Sequence, residues 1–277
     1  MNAPRPAVVV FSIFLVLSAA GCTPSEQRIF DAAGKGELPL VQKMLAENPQ
    51  LLNGRDAQGR TPLMLAAGIE DSSVLEFLLS KGADMTLQDE RGYTALHVAA
   101  ESGSFTILQA LVASRANPNV KSEDGWTPLH VASTKGSEQA VQLFIDSGVD
   151  VNAKGNDGRT PLFLAAEAGK LQVTACLIRA GADVNAKAND GKTPLHVVTR
   201  NDTTALLAGA GADLNAKDSQ GSTPLHYAVI GRYKDAVAVL INAGADVHVK
   251  DASDMSPLDY TMNDPGGEIA VMLRKAK

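Results

Sequence analysis

Aromatic residues are scarce in this chain of 277 residues, at 4%, and tryptophan occurs once. Any core must therefore be assembled from Ala, Val, Leu and Ile. The 45% hydrophobic content supplies them in sufficient quantity for a large interior. Cysteine is almost missing. Cys22 and Cys176 are the two, in contexts that do not suit a pair, so a disulfide framework is excluded. A long basic run is also missing, and the formal net charge is −6. That balance argues against a nucleic-acid partner and fits a solvated acidic surface.

Long hydrophobic runs are limited to one. Met1–Pro6 carries a single positive charge, Arg5, and Ala7–Leu17 (AVVVFSIFLVL) is apolar throughout. Ser18, Ala19, Ala20 and Gly21 follow. A charged start, an apolar middle and a small-residue end make the layout of a secretory signal. The run is too short to span a bilayer as a helix, which takes about 20 apolar residues. A buried core helix is the alternative, but no amphipathic face marks one. The ending LSAAGC resembles the lipobox of bacterial lipoproteins. That resemblance implies a signal peptide over residues 1–21, cleavage after Gly21, a diacylglycerol on Cys22 and a short linker over 22–27. Ala19 stands where that family usually has Leu. Plain secretion with cleavage near Ala20 is the alternative. Thr23, in place of the aspartate that retains enterobacterial lipoproteins at the inner membrane, implies the outer membrane. The expected location is therefore the bacterial periplasm, lipid-anchored.

The rest of the chain repeats itself. Gly59, Gly92, Gly125, Gly158 and Gly191 are spaced by 33 residues, Gly221 follows after 30, and Asp254 takes the same place after another 33. Two residues beyond each stands a tetrapeptide: TPLM, TALH, TPLH, TPLF, TPLH, TPLH and SPLD. GAD or a relative (RAN, GVD) recurs after each of the first six. Thr suits a helix N-cap and Pro suits the first helical position. Small pairs such as Ala66-Ala67, Ala99-Ala100 and Ala165-Ala166 let helices approach. Gly103, Gly136 and Gly169 end the first helix of a unit. A second apolar helix follows, as at Val74–Leu79, and Asp-Gly turns reverse the chain. One helix pair cannot bury both its faces, so such units must stack.

This pattern closely resembles the ankyrin repeat. The resemblance covers residues 28–277. It implies an all-α solenoid of stacked helix pairs with short turn or β-hairpin tips. The solenoid would comprise an N-terminal repeat (28–55), six repeats (56–250) and a C-terminal capping repeat (251–277). The repeat between Gly191 and Gly221 lacks three residues, which predicts a shortened helix pair and a soft spot.

No catalytic constellation is visible. His97, His130, His196 and His226 all hold the fourth place of the tetrapeptide. The resemblance implies that they bond between repeats. Helix pairs stack ~8–10 Å apart, too far for neighbouring imidazoles to share one ion. Cys176 falls on an apolar place of a second helix and reads as inert core. Gly191-Lys192-Thr193 lacks the first glycine of a phosphate loop, since Ala186 stands there. No enzyme activity, metal, cofactor or small-molecule substrate is expected.

The resemblance places partner contacts on the turn tips and the adjoining ends of the first helices. The residues carried over are Arg60, Arg91, Tyr93, Trp126, Lys135, Arg159, Lys192 and Arg200. Trp, Tyr and Arg are the side chains enriched at interface hot spots. For Trp126 the alternative is that it covers the neighbouring turn. The expected function is non-catalytic binding of another protein, as an inhibitor or immunity-type protein sequestering a cognate effector. The alternative is a scaffold for a periplasmic enzyme in envelope stress defence.

Overall fold

The computed structural model describes residues 24–276, with side chains from Gln27 onward. Cys22 and the 1–21 segment lie outside the described residues. Among the described residues fifteen α-helices follow one another, the first fourteen in seven antiparallel pairs. The first pair is α1 (Pro24–Gly34) and α2 (Leu38–Glu47). Then come α3 (Pro62–Ala67) with α4 (Ser73–Ser80), and α5 (Ala95–Ser102) with α6 (Phe105–Ala113). Next are α7 (Pro128–Lys135) with α8 (Glu138–Asp146), and α9 (Pro161–Glu167) with α10 (Leu171–Arg179). The series continues with α11 (Pro194–Val197) and α12 (Asn201–Gly209), then α13 (Pro224–Ile230) and α14 (Lys234–Asn242). It closes on a 3-10 turn (Asp259–Thr261) and α15 (Glu268–Lys275).

Helices of four to eleven residues are too short to persist alone in water. Stacking is what holds them. Leu63, Leu96, Leu129, Leu162, Leu195 and Leu225, one from each first helix, are all at most 1% exposed. Leu78, Leu111, Phe144, Leu177, Leu207 and Leu240 form the matching line on the second helices. Each such burial is worth about 1.5–3 kcal/mol. The alanine pairs lie between the two lines and are fully enclosed.

Three hydrogen-bond ladders run along the stack. The first joins tip to tip through the backbone: Glu90 N–H to Gln58 O, Glu123 to Arg91, Asn156 to Asp124, Asn189 to Asp157, Ser219 to Asp190 and Ala252 to Gln220, at 2.8–3.1 Å. The second uses lysine. Lys121, Lys154, Lys187 and Lys217 each donate Nζ–H to the carbonyl of Lys154, Lys187, Lys217 and Lys250 respectively, at 2.9–3.1 Å. Arg55 and Gln88 begin this line by donating to the carbonyls of Gln88 and Lys121. In the third, the side-chain oxygens of Asn152, Asn185 and Asn215 accept from the amides of Asp183, Asp213 and Asp246.

Of the two forms expected for the tips, turn or β-hairpin, they take the turn, and among the described residues no strand forms. Each tip closes on two backbone bonds, such as Asp89 N–H to Tyr93 O and Gly92 N–H to Asp89 O, both at 2.9 Å, and its arms are too brief for a ladder of their own. One expectation needs correction. The three-residue deletion shortens only one helix of its pair. α11 stops after one turn because Val198 and Arg200 are extended. α12 keeps nine residues, as α10 and α14 do. Thr203, Thr204 and Leu207 fill the buried places that Val173, Thr174 and Leu177 hold one unit earlier.

Candidate functional site

The tetrapeptide histidines are committed to the scaffold. The amide of Thr94 donates to Nδ1 of His97 at 3.1 Å, and an amide can only donate. Nδ1 is therefore the bare nitrogen. Nε2 carries the proton and donates to the Trp126 carbonyl at 3.0 Å, one unit on. His130, His196 and His226 repeat the arrangement toward Arg159, Ser222 and Met255. With both ring nitrogens used, none can bind a metal or take a substrate proton. Burial pushes the imidazoles of His97 and His196 below their usual range, and that of His130 down to about 4. Met64 and Phe163 hold the same place in two units. Met64 sulfur accepts the cap amide of Thr61, whereas Phe163 makes no such bond. Cys176 is 3% exposed and its thiol donates to Gln142 Oε1 at 3.3 Å. Burial pushes that thiol up, which makes it a poor nucleophile.

The carried-over row lies where the tips meet the first helices, and its cations are already paired. Arg60 binds the buried carboxylate of Asp56 at 2.7 Å. Arg91 bridges Asp89 and Glu101, both at 3.3 Å, and Lys135 reaches the same Glu101 at 3.8 Å. Arg159 bridges Asp157 and Glu167 at 3.3 and 2.9 Å. Lys192 pairs with Asp190 at 3.1 Å. Arg200 pairs with Asp202, whose carboxyl is held down to about 2, chiefly by that hydrogen bond. The structure thus brings Arg91, Glu101 and Lys135 together across two units. Arg200 stands in the shortened unit with its own acid.

The aromatic members pack onto the histidines. The Tyr93 ring stacks on His97 at 5.0 Å, with the Arg91 guanidinium over its face at 4.0 Å. Trp126 lies parallel to His130 at 6.4 Å and is half-buried. Its other neighbour is Gly155 of the next tip, where a Cβ would come within 2.9 Å of the indole. Trp126 therefore covers the following turn. Tyr227 and Tyr260, which the sequence reading did not select, stand edge-on to His196 and His226 and donate to Asp218 and Asp251. Their shared place directly after a tetrapeptide, TPLH and SPLD, was the available signal.

A family model described as ankyrin repeats (three copies) matches residues 29–122, 96–188 and 175–251. The chain belongs to the ankyrin-repeat family. The ankyrin repeat domain of Bcl-3, described as a unique member of the IkappaB protein family, has a similar solved structure. It is 32% identical with a TM-score of 0.65, over 76% of this chain and 96% of that one. Short transient receptor potential channel 3 of Homo sapiens is 45% identical over 60 residues, 21% of this chain. The Mus musculus channel matches equally. This chain spans only 6–7% of the length of those channels. The ankyrin scaffold is a protein–protein interaction module and typically non-catalytic.

Proposed function

We propose that this ankyrin stack is held at the outer membrane of a bacterium, on the periplasmic side, through a lipid on Cys22. There it sequesters a cognate protein effector as an inhibitor or immunity-type protein. The tip row supports the binding surface. The Arg91 guanidinium sits over Tyr93, and half-exposed surface ion pairs join Arg91 and Lys135 to Glu101 and Arg159 to Asp157 and Glu167. Such pairs are worth about 0–1 kcal/mol each, so a partner can exchange them at little cost. The LSAAGC ending supports the anchor.

Two experiments test the reading. Radiolabelled palmitate should enter the wild type and be lost in Cys22→Ser, and label that persists in the variant refutes the anchor. Affinity capture from envelope extracts should recover a partner with wild type and lose it with Arg91→Glu/Arg159→Glu. Equal recovery with both forms refutes the tip-row site. A captured housekeeping enzyme in place of an effector favours the scaffold role.

A further inference from the structure

The capping repeat fails to complete its first helix. After Asp259–Thr261 the sequence MNDPGG stops helical geometry, and α15 starts only at Glu268. Along the stack the first helices pack on their predecessors, α11 with its single turn included. Here only a 3-10 turn packs on α13, and a cleft of about 530 Å³ opens beside it. Val229, Ile230, Ala270 and Tyr260 line its apolar part. Ile230 is 52% exposed and nearby Met262 66%. Among the described residues, every exposed large apolar side chain (Ile230, Tyr233, Tyr260, Met262, Val271) comes from α13 onward.

Arg232 stands at the rim. It is the ninth residue after its cap threonine, the place held by Gly103, Gly136 and Gly169. All four adopt positive φ, 57° for Arg232 and 64–89° for the glycines. L side chains rarely adopt this conformation, so the backbone is strained where glycine would relieve it. The neighbouring cations are otherwise engaged. Lys234 is bound to Glu268, and Arg274 donates to the Pro265 carbonyl. The Asp264 carboxylate lies against Gly267, the residue before α15, and shares the cleft lining. Among the described residues Arg232 has no ion-pair partner, unlike the six cations of the tip row.

We propose that this cleft is a second docking site, separate from the tip row, for a segment of a partner protein that presents an apolar side chain beside a carboxylate. The apolar side chain fills the space over Ile230 and Tyr260. The carboxylate meets the Arg232 fork, for which a guanidinium is well shaped.

Random dodecapeptides displayed on phage and selected on the full chain test this. Enriched sequences should place Leu, Ile or Phe within a residue or two of Asp or Glu. The strongest such peptide, made synthetically, should bind Arg232→Gly roughly ten-fold more weakly, although that variant relieves the strain and melts no lower. Arg232→Lys should recover part of the loss, and Arg91→Ala should leave binding unchanged. That last arm separates this site from the tip row. Selection of basic or acid-free peptides, failure to enrich any peptide, or equal affinity for Arg232→Gly overturns the proposal. A wild-type dimer in sedimentation that Ile230→Glu dissolves also overturns it, by giving the cleft to a second copy.

Discussion

Acid should loosen this solenoid well above the pH at which its carboxylates protonate. His130 is fully enclosed and neutral, with its Nε2–H on the Arg159 carbonyl. It titrates near about 4 when folded, against 6.5 in an open chain. As pH falls through 6.5 the unfolded chain takes up a proton that the folded chain refuses. Stability is therefore intact above pH 6.5 and drains as pH drops toward 4. His130 alone accounts for about 3 kcal/mol over the whole range and about 2 kcal/mol by pH 5. His97 and His196 shift in the same direction and add to the loss. With a urea slope of about 2 kcal/mol/M, the midpoint should fall by about 1 M or more between pH 7.5 and 5.0. Most carboxylates stay ionised in that window. Trp126, the single tryptophan, lies on the His130 ring, so its fluorescence reports this unit while far-UV dichroism reports the stack. His130→Phe, which copies the residue at Phe163, should cost about 1–2 kcal/mol at pH 7.5. It should also remove the His130 share of the acid sensitivity. A midpoint unchanged between pH 7.5 and 5.0, or a full drop retained in His130→Phe, refutes the argument.

Ser133 carries a buried hydroxyl with no hydrogen-bond partner, at a place where neighbouring units have alanine. Ser133→Ala should stabilise the chain by about 1 kcal/mol, read as a higher urea midpoint. Gly125 and Gly148 both have positive φ, but a Cβ at Gly125 would reach 2.8 Å from the Asn156 amide while Gly148 faces open space. Alanine at Gly125 should therefore cost at least about 1 kcal/mol more than alanine at Gly148, and equal midpoints would refute the tip contact. Amide exchange should be fastest around α11, which has a single turn and lies next to the unit where Phe163 lacks the inter-repeat bond. Mass spectrometry showing α11 protected as well as α9 and α13 would remove the soft spot. In a Cys22→Ser background, Cys176 should react with a thiol reagent only as fast as the chain opens.

The repeat, the helix starts and the stacking were legible because they depend on local chemistry. Thr-Pro starts a helix, glycine ends it, and an apolar stripe three or four residues apart must be covered. Those relations lie within one unit and recur at a period of 33 residues. The histidine role was legible by the same route, through the resemblance that the tetrapeptide carries. Contacts between residues some 30 apart were not. Whether Lys154 faces water or the Lys187 carbonyl depends on how two units sit on each other. So does the pairing of Arg91 and Lys135 with one Glu101, which turns an apparent basic row into a neutral network. The tertiary structure also decided the reach of the deletion. The second helix of that unit is held by buried Thr203, Thr204 and Leu207, so the shortening fell on the first. The cleft at Arg232 exists only because a helix that the pattern called for stops after one turn, leaving its neighbour only partly covered.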